Sequence, residues 1–593
     1  MRVAPVAPRR RGPLLIAMIA IIALLVPSAA IAAKPGPSTT IQILNVSDWH
    51  GNLDPINIST SSSTAKNVGG ASVISTLWKQ ERVNNPNTLT LTAGDDFGAA
   101  PPLSGFFEER TAVMAERLMG IQVNTLGNHN FDRGVAHLQS MIDLAGTPSG
   151  GSVPGDPYTY VSSDLRNLDG NLEGVAPFRV FDVGGVKVGV VGVTNPEAPG
   201  LVEPGAFGTI TIANAYGAAN QAKAAAKRAG AQVVVAITHF GVRGFTNGQP
   251  FGELIDFANN VGGFDVIFGD HTDIQFQAVI NGQLVHENRS FGQGYARTTL
   301  TVGNNGKVTD RSVSFVEPVY STVTGTNTSS PVQTILVAKD QAIESMLAPY
   351  RAQLSAILDV PIGTVTNTFV RRLPAPDPLG NLERRQETAL GDLVADGMRW
   401  RYGTQVSMVN GGGVRTSLPN SSYLPADTTL RRPSTGYAGG PPWDVVKGDI
   451  YSVLPFNNVI TTRTVTGAQL WAAMENGVSQ ISCKGAGSDG RFPQISGFKF
   501  TFDYNLSAGS RVTSMALSDG TPIPNDSAAT YTMALPNFTN NGGDSYSVFA
   551  DGQGVTRDLD AQVMVDYWAA NGPNFDPASY PLDRITKQGT PTC

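Results

Sequence analysis

Five short polar clusters, each placed just after a β-branched run, constrain this chain more than any other feature. They are Asp48-Trp49-His50-Gly51-Asn52, Gly94-Asp95-Asp96-Phe97-Gly98, Gly127-Asn128-His129-Asn130-Phe131-Asp132, Thr238-His239-Phe240-Gly241 and Gly269-Asp270-His271-Thr272-Asp273. The preceding runs read as strands at 41–46, 88–91, 123–126, 232–237 and 265–268, with a further strand at 186–193. Amphipathic or Ala-rich stretches at 71–81, 110–119 and 213–229 lie between them and read as helices. Strands alternating with helices predict an α/β layered architecture. Polar residues just past strand ends are where such sheets place ligands.

All six histidines lie between positions 50 and 286, whereas both cysteines, Cys483 and Cys593, lie in the other half. An imidazole metal site therefore belongs to the N-terminal part and has no thiolate there. Imidazole with carboxylate and amide oxygen suits Zn, Mn, Fe or Ni. In an extended segment residues i and i+2 project to one face, so Asp48 and His50 can present a carboxylate and an imidazole to one ion. A lone carboxylate such as Asp95 can bridge two. A single D-x-H, or a single strand-end histidine, is commonplace. Five clusters in this order supply enough ligands for two metals about 3.5–4 Å apart with one shared.

Residues 321–330 are rich in Ser, Thr, Asn and Gly and read as a linker; 332–358 reads as a long helix holding Pro349. That helix is expected to connect two units. The expected division is a leader at 1–33, a first unit at 38–320, linker and connector at 321–362, and a second α/β unit at 363–593. Residues 417–442, rich in Ser, Thr, Pro and Gly, are expected to form a surface excursion. Arg9, Arg10 and Arg11 precede an apolar run of 13 residues at 14–26, and Ala30-Ile31-Ala32 fits a cleavage site. The run is short of the ~20 residues needed to span a bilayer, so export and release into an extracellular or periplasmic space are expected, without a stable span after cleavage. An uncleaved anchor is the alternative. In an oxidising compartment Cys483 and Cys593 can pair; two unpaired thiols are the other possibility. A net charge of −6 gives no broad attraction to nucleic acid, so a duplex is not an expected partner. With 41% hydrophobic and 15% charged residues, the chain is not a charge-driven disordered one.

The five clusters resemble, in order, the calcineurin-like dimetal phosphoesterase signature D-x-H … G-D … G-N-H-x-F-D … H … G-x-H-[ST]-x. The third is similar to its 5′-nucleotidase branch in particular. In the second half, Glu387-Thr388-Ala389-Leu390-Gly391-Asp392-Leu393 resembles that family's E-[TC]-x-[LM]-G-[DN]-L segment. Asn410-Gly411-Gly412-Gly413-Val414-Arg415 resembles its N-G-G-G-[IV]-R loop. Gly448-Asp449-Ile450 with Leu454-Pro455-Phe456 is similar to G-D-[IV] … [LF]-P-F, and Asn537-Phe538-Thr539-Asn540-Asn541-Gly542-Gly543-Asp544 to N-F-L-x-x-G-G-D. The resemblance covers essentially the whole mature chain.

It implies an N-terminal layered αββα metallophosphoesterase domain, a helical connector and a C-terminal α/β substrate-binding domain. It implies that Asp48, His50 and Asp95 hold one divalent metal, and that Asp95 bridges to a second held by Asn128, His239 and His271. Asp273 stands where the family completes the first site with Asn, Gln or His. His129 matches a non-ligand histidine that contacts the phosphate, and Asp132 its orienting carboxylate. Asn130 replaces a usual Glu, with little expected consequence. Arg384, Asn410 and Arg415 match phosphate and ribose contacts, Phe456 and Phe538 match two rings that sandwich the base, and Asp544 matches a ribose-hydroxyl acceptor. His137 and His286 read as structural. The implied activity is hydrolysis of nucleoside 5′-monophosphates with two divalent ions, Zn, Mn or similar. The same ligands serve 2′,3′-cyclic nucleotide phosphodiesterases and nucleotide-sugar pyrophosphatases. A sulfate-ester hydrolase fits less well because both base-clamp positions are filled. A non-catalytic nucleotide-binding or adhesion protein is the reading of another class.

Overall fold

The alternating pattern of the first half folds into two sheets packed face to face. The computed structural model describes residues 38–59, 64–316, 337–371, 382–434, 436–481 and 490–589. The first sheet has seven strands, in the order Val308–Val316, Tyr295–Val302, Thr39–Val46, Thr88–Thr92, Val123–Asn124, Thr159–Val161, Val175–Ala176. The second has six, in the order Phe276–Ile280, Gln283–Glu287, Val266–Gly269, Val233–Thr238, Val186–Val193, Phe178–Val183. Ile41, Ile43, Leu89 and Leu91 from one sheet meet Val188, Val190, Val235 and Ile237 from the other in a fully buried layer. Each such side chain contributes roughly 1.5–3 kcal/mol by leaving water. The helices Ala71–Asn84, Arg110–Met119 and Gly134–Gly146 cover the outer face of the first sheet, and Ala215–Arg228 and Glu253–Asn260 that of the second.

The middle of each sheet is parallel: Thr39–Val46 pairs with Thr88–Thr92 and that strand with Val123–Asn124, while Val186–Val193, Val233–Thr238 and Val266–Gly269 run side by side. Parallel neighbours put their carboxyl ends at one edge. All five polar clusters follow strands of these parallel sets.

The connector helix spans Gln341–Leu358, shorter than the expected 332–358. Asp340 sets its start, because its side chain accepts the Ala342 N–H and so caps the first turn. The same carboxylate takes Ser75 and Lys79, each at 2.5 Å, while Arg351 meets Asp54 at 2.5 Å. Ile343, Leu347, Leu354 and Leu358 are buried in the first unit's core, so the helix is part of that unit's outer layer. At its far end Asp359 accepts the Tyr423 hydroxyl at 2.6 Å and the Ala426 N–H at 2.8 Å.

The second unit is built on a five-stranded sheet in the order Pro493–Ser496, Val406–Asn410, Thr530–Pro536, Val459–Thr466, Val555–Leu559. The helices Ala389–Tyr402 and Asp560–Asn571 pack in one core cluster and Gly467–Val478 in another. The Glu387-Thr388 pair does local structural work here. Thr388 caps Ala389–Tyr402, and the Glu387 carboxylate accepts the backbone N–H groups of Arg584 and Ile585 at 2.9–3.1 Å, closing the last strand Ile585–Gln588 onto the unit.

Residues 417–442 are not simply a surface excursion. Leu418, Asn420, Tyr423, Arg432 and Ser434 are buried, and Arg432 pairs with Asp449 at 2.5 and 2.6 Å with neither side chain exposed. Ser, Thr, Pro and Gly signalled irregular backbone correctly; burial followed from an arginine whose donors are met by Asp449 and by carbonyls of Asn420, Tyr423 and Asp444. The leader, the linker at 321–330 and both cysteines lie outside the described residues. No helix among the described residues is long and apolar enough to cross a membrane.

Candidate active site

The five clusters meet at one edge of the sandwich. Three overlapping groups of side chains place ligand atoms within 4.8 Å of one another: Asp95, His239 and His271; Asp48, His239 and Asp270; Asp48, His50 and Asp95. His239 Nε2 lies 3.0 Å from Asp95 Oδ2 and 3.2 Å from His271 Nδ1. Asp48, Asp95 and His239 each belong to two of the three groups. The loops approach so closely that two glycines are required. A Cβ on Gly127 would lie 2.2 Å from Asp95 Oδ1, and one on Gly94, at φ +103°, would lie 2.8 Å from His239 Nδ1. Asp48, His50, Asp95, His271 and Asp273 all adopt positive φ, between 38° and 84°. Such backbone costs of order 1–3 kcal/mol per residue and persists where surrounding structure over-determines it, commonly at functional sites.

The donor set fits divalent cations. The Gly98 carbonyl accepts from His50 Nδ1 at 2.8 Å and the Ala93 carbonyl from His239 Nδ1 at 3.2 Å, which leaves each Nε2 as the lone-pair atom. Burial pushes His50 down to about 3 and, with His239 beside it, holds His271 well below the usual imidazole range, so both are neutral as ligands must be. Burial raises Asp48 to about 6, and burial with the facing Asp48 carboxylate raises Asp270 strongly. A cation between these two carboxylates would offset both effects. Burial alone would raise Asp95, but His239 and His129 hold it below the usual carboxylate range. Burial opposes charge on His239, yet Asp95 lifts it to about 9; a cation would take the place of that proton. Asn128 Oδ1 is buried and accepts no hydrogen bond, an orphan that a cation would satisfy.

Sequence reasoning did not select Asp270, although it lies between Gly269 and His271. Asp273 falls outside the three groups; its charge acts on Asp48 and on Arg415. Asn130, expected to matter little, braces two loops. Its Oδ1 accepts the N–H groups of Gly127 at 2.8 Å and Asp95 at 3.2 Å, and its Nδ2 donates to Asp96 at 2.6 Å.

His129 sits beside the metal-ligand candidates but in none of the three groups. Its Nδ1 lies 3.0 Å from both oxygens of Asp132, its backbone N–H donates to Asp95 Oδ1 at 2.8 Å, and its ring meets that of His50 edge-on at 5.1 Å. Its other neighbour belongs to the second unit. Phe456 stacks on His129 with ring centroids 5.7 Å apart and 23° between planes, and the Arg415 guanidinium lies 5.5 Å from the Phe456 centroid. Arg415 is half-buried and within electrostatic reach of Asp95, Asp132 and Asp273. Of the adjacent pair, Arg384 is the one facing this cleft: its charge acts on His271, Arg415 and Asp544, whereas that of Arg385 acts on Tyr504 and Lys587.

Asn410 Nδ2 donates to Asp544 at 2.7 Å, and Asp544 is raised by burial while Asn410 and Arg384 oppose that rise. Arg491, not selected from sequence, also acts on Asp544. Phe538 is half-buried and packs on bare Gly543, where a Cβ would lie 2.4 Å from its ring. The same loop crosses to the first unit through Asn541, whose Nδ2 donates to Glu203 at 2.6 Å. His137 and His286 stand apart from the ligand groups: His137 Nε2 is 3.0 Å from the Glu108 carbonyl, and buried His286 Nε2 is 2.9 Å from the Thr298 hydroxyl.

A layered sandwich with an edge whose side chains could hold ions, faced across a cleft by a second α/β unit, is the arrangement to compare with known proteins. Residues 361–551 match the family described as 5′-nucleotidase, C-terminal domain. The solved 5′-nucleotidase precursor from Thermus thermophilus superposes with a TM-score of 0.74 at 25% identity, covering 93% of this chain and 100% of that one. A snake venom 5′-nucleotidase from Gloydius brevicauda is 24% identical over 580 residues, 92% of this chain and 89% of the relative. Endonuclease YhcR from Bacillus subtilis (strain 168) is 25% identical over 510 residues, 85% of this chain; the chain spans 37% of that relative's length. Residues 361–551 thus carry a 5′-nucleotidase C-terminal domain, and the chain as a whole is similar to 5′-nucleotidases in sequence and fold.

Proposed function

We propose that this protein is a secreted enzyme that hydrolyses nucleoside 5′-monophosphates to nucleoside and phosphate. One observation carries the reading: Phe456, backed by Arg415, lies over His129 beside the ligand groups. The ring proposed to hold a base and the imidazole proposed to meet a phosphate thus share one cleft. Asp48, His50, Asp95, Asn128, His239 and His271 would hold two divalent ions, with Asp270 added for its place beside Asp48 and with Asp273 supplying charge near Asp48. Such a pair supplies a strong oxygen nucleophile at neutral pH and neutralises charge on the phosphoryl oxygens.

The chain's own groups do the rest. Asp132 orients His129 through Nδ1, so Nε2 is the atom that reaches the phosphoryl group. Arg384 and Arg415 hold that group, since a planar guanidinium can donate two parallel hydrogen bonds. Asp544, oriented by Asn410, accepts from a ribose hydroxyl. Phe456 and Phe538 stack on the base, worth ~1–3 kcal/mol per base and tolerant of its identity. The first unit is taken as 38–320 and the second as 363–593. They would turn about the junction near Asp359, since the connector helix is fixed to the first. A leader at 1–33 would direct export.

Phe538→Ala is expected to weaken AMP binding by ~1–3 kcal/mol and to leave inhibition by inorganic phosphate unchanged. KM for AMP and Ki for phosphate, measured together, check this; equal weakening of both contradicts the stacking role. A second reading has one support, the relative named an endonuclease: cleavage of a phosphodiester at the same centre. Phosphate release from AMP, against cleavage of cyclic nucleotides, nucleotide sugars and DNA, separates the two. Preference for AMP supports the nucleotidase, and inert AMP beside a cleaved diester overturns it.

A further inference from the structure

The strand Gln283–Glu287 runs parallel to Val266–Gly269, with Glu287 opposite Gly269 where the last ligand loop begins. Glu287 is fully buried. Its Oε2 accepts the Val242 N–H at 2.7 Å. Its Oε1 accepts the N–H groups of Thr272 at 3.2 Å and Ile274 at 3.3 Å and lies 2.7 Å from the Thr272 hydroxyl. One carboxylate therefore ties the loop after His239 to the loop that carries His271 and Asp273.

The loop's shape explains why a hydrogen-bond acceptor is needed there. His271 and Asp273 flank Thr272 at φ 84° and 63°. With alternate residues left-handed, the N–H groups of Thr272 and Ile274 converge on one point, a backbone concavity that binds anions. Buried without an acceptor, each of those groups would cost about 1–3 kcal/mol. Thr272 also packs on bare Gly241, where a Cβ would lie 2.2 Å from its Oγ1. From the opposite side, the His271 N–H donates to Asp48 Oδ2 at 2.6 Å. The His271 backbone is thus gripped between a proposed metal ligand and Glu287.

We propose that Glu287 is a positioning residue for the metal centre, holding His271 in the left-handed turn from which its imidazole meets His239 and Asp95. It acts through backbone and touches neither ion nor substrate. The inference rests on the dimetal reading above. Partners behind metal ligands typically carry about 10–100-fold in metal affinity or activity.

The test uses full-length Glu287→Gln, with Thr272→Ala as a milder second variant, and titrates each metal-free protein with Mn(II). Glu287→Gln keeps the size of the side chain but turns an N–H₂ toward the N–H donors. We expect Mn(II) affinity about 10–100-fold weaker, AMP turnover lost at low Mn(II) and regained at high Mn(II), and KM for AMP unchanged. Thr272→Ala shifts Mn(II) affinity the same way by less. A purely structural carboxylate would alter the melting temperature of the metal-free protein and leave the Mn(II) dependence of turnover untouched. That result, or wild-type Mn(II) affinity in a folded Glu287→Gln, overturns the proposal. If Glu287→Gln does not fold, unchanged Mn(II) affinity in Thr272→Ala overturns it. A wild-type protein that takes up no Mn(II) overturns the metal reading itself, and this inference with it.

Discussion

His129→Ala is expected to lower kcat for AMP by ~10²–10⁴ while leaving bound metal nearly unchanged. Among the described residues His129 belongs to none of the groups that could hold an ion, so its removal is expected to subtract no ligand. Its ring is nevertheless held in the cleft by Asp132 on one side and by Phe456 on the other. A group placed to donate to the phosphoryl oxygens acts mainly in the transition state, where charge develops, so the loss should fall on kcat more than on KM. Steady-state kinetics with elemental analysis of the same preparation check both parts. Loss of metal in the variant would make His129 a ligand and refute the assignment.

The second large effect concerns folding. Asp449→Ala is expected to destabilise the second unit by roughly 3–5 kcal/mol, the usual cost of leaving one charge of a buried pair without its partner. Arg432 and Asp449 are fully buried, and Asp449 also accepts the N–H groups of Asn420 at 2.9 Å and Val446 at 2.9 Å. Removing one carboxylate thus strands a guanidinium and two backbone donors together. Phe456 follows soon after on the same stretch, so the pair also supports the cleft. Urea unfolding of the full chain followed by circular dichroism should show the second unit melting at lower denaturant. An unchanged transition would contradict the burial of this pair.

Much of the fold was legible because its signals are local. β-branched runs closed by Gly-Asp or Gly-Asn give strand ends directly, and Arg110–Met119 falls where its pattern placed it. What sequence could not supply is which neighbours turn inward. Asp270 and His271 are adjacent, and only the meeting of two sheets shows that the carboxylate of Asp270 faces Asp48. Arg384 and Arg385 differ in the same way, with opposite surroundings fixed by one turn of 3₁₀ helix at Leu382–Arg384. Asn130 looked passive because a side chain that binds loop backbone leaves no periodic trace. Residues 417–442 looked exposed because Ser, Thr, Pro and Gly report backbone irregularity, whereas burial depends on whether a residue such as Arg432 finds all its partners.

Side chains from five separate turns meet at one edge, where they are proposed to hold a pair of divalent ions. Elemental analysis of protein loaded with Mn or Zn and freed of excess metal tests it most directly, with Asp95→Ala as the paired sample. The expected result is two ions per chain in the wild type, neither retained tightly in Asp95→Ala, and AMP hydrolysis lost with chelator and restored by Mn or Zn. No bound metal in the wild type, or hydrolysis indifferent to chelator, would contradict it.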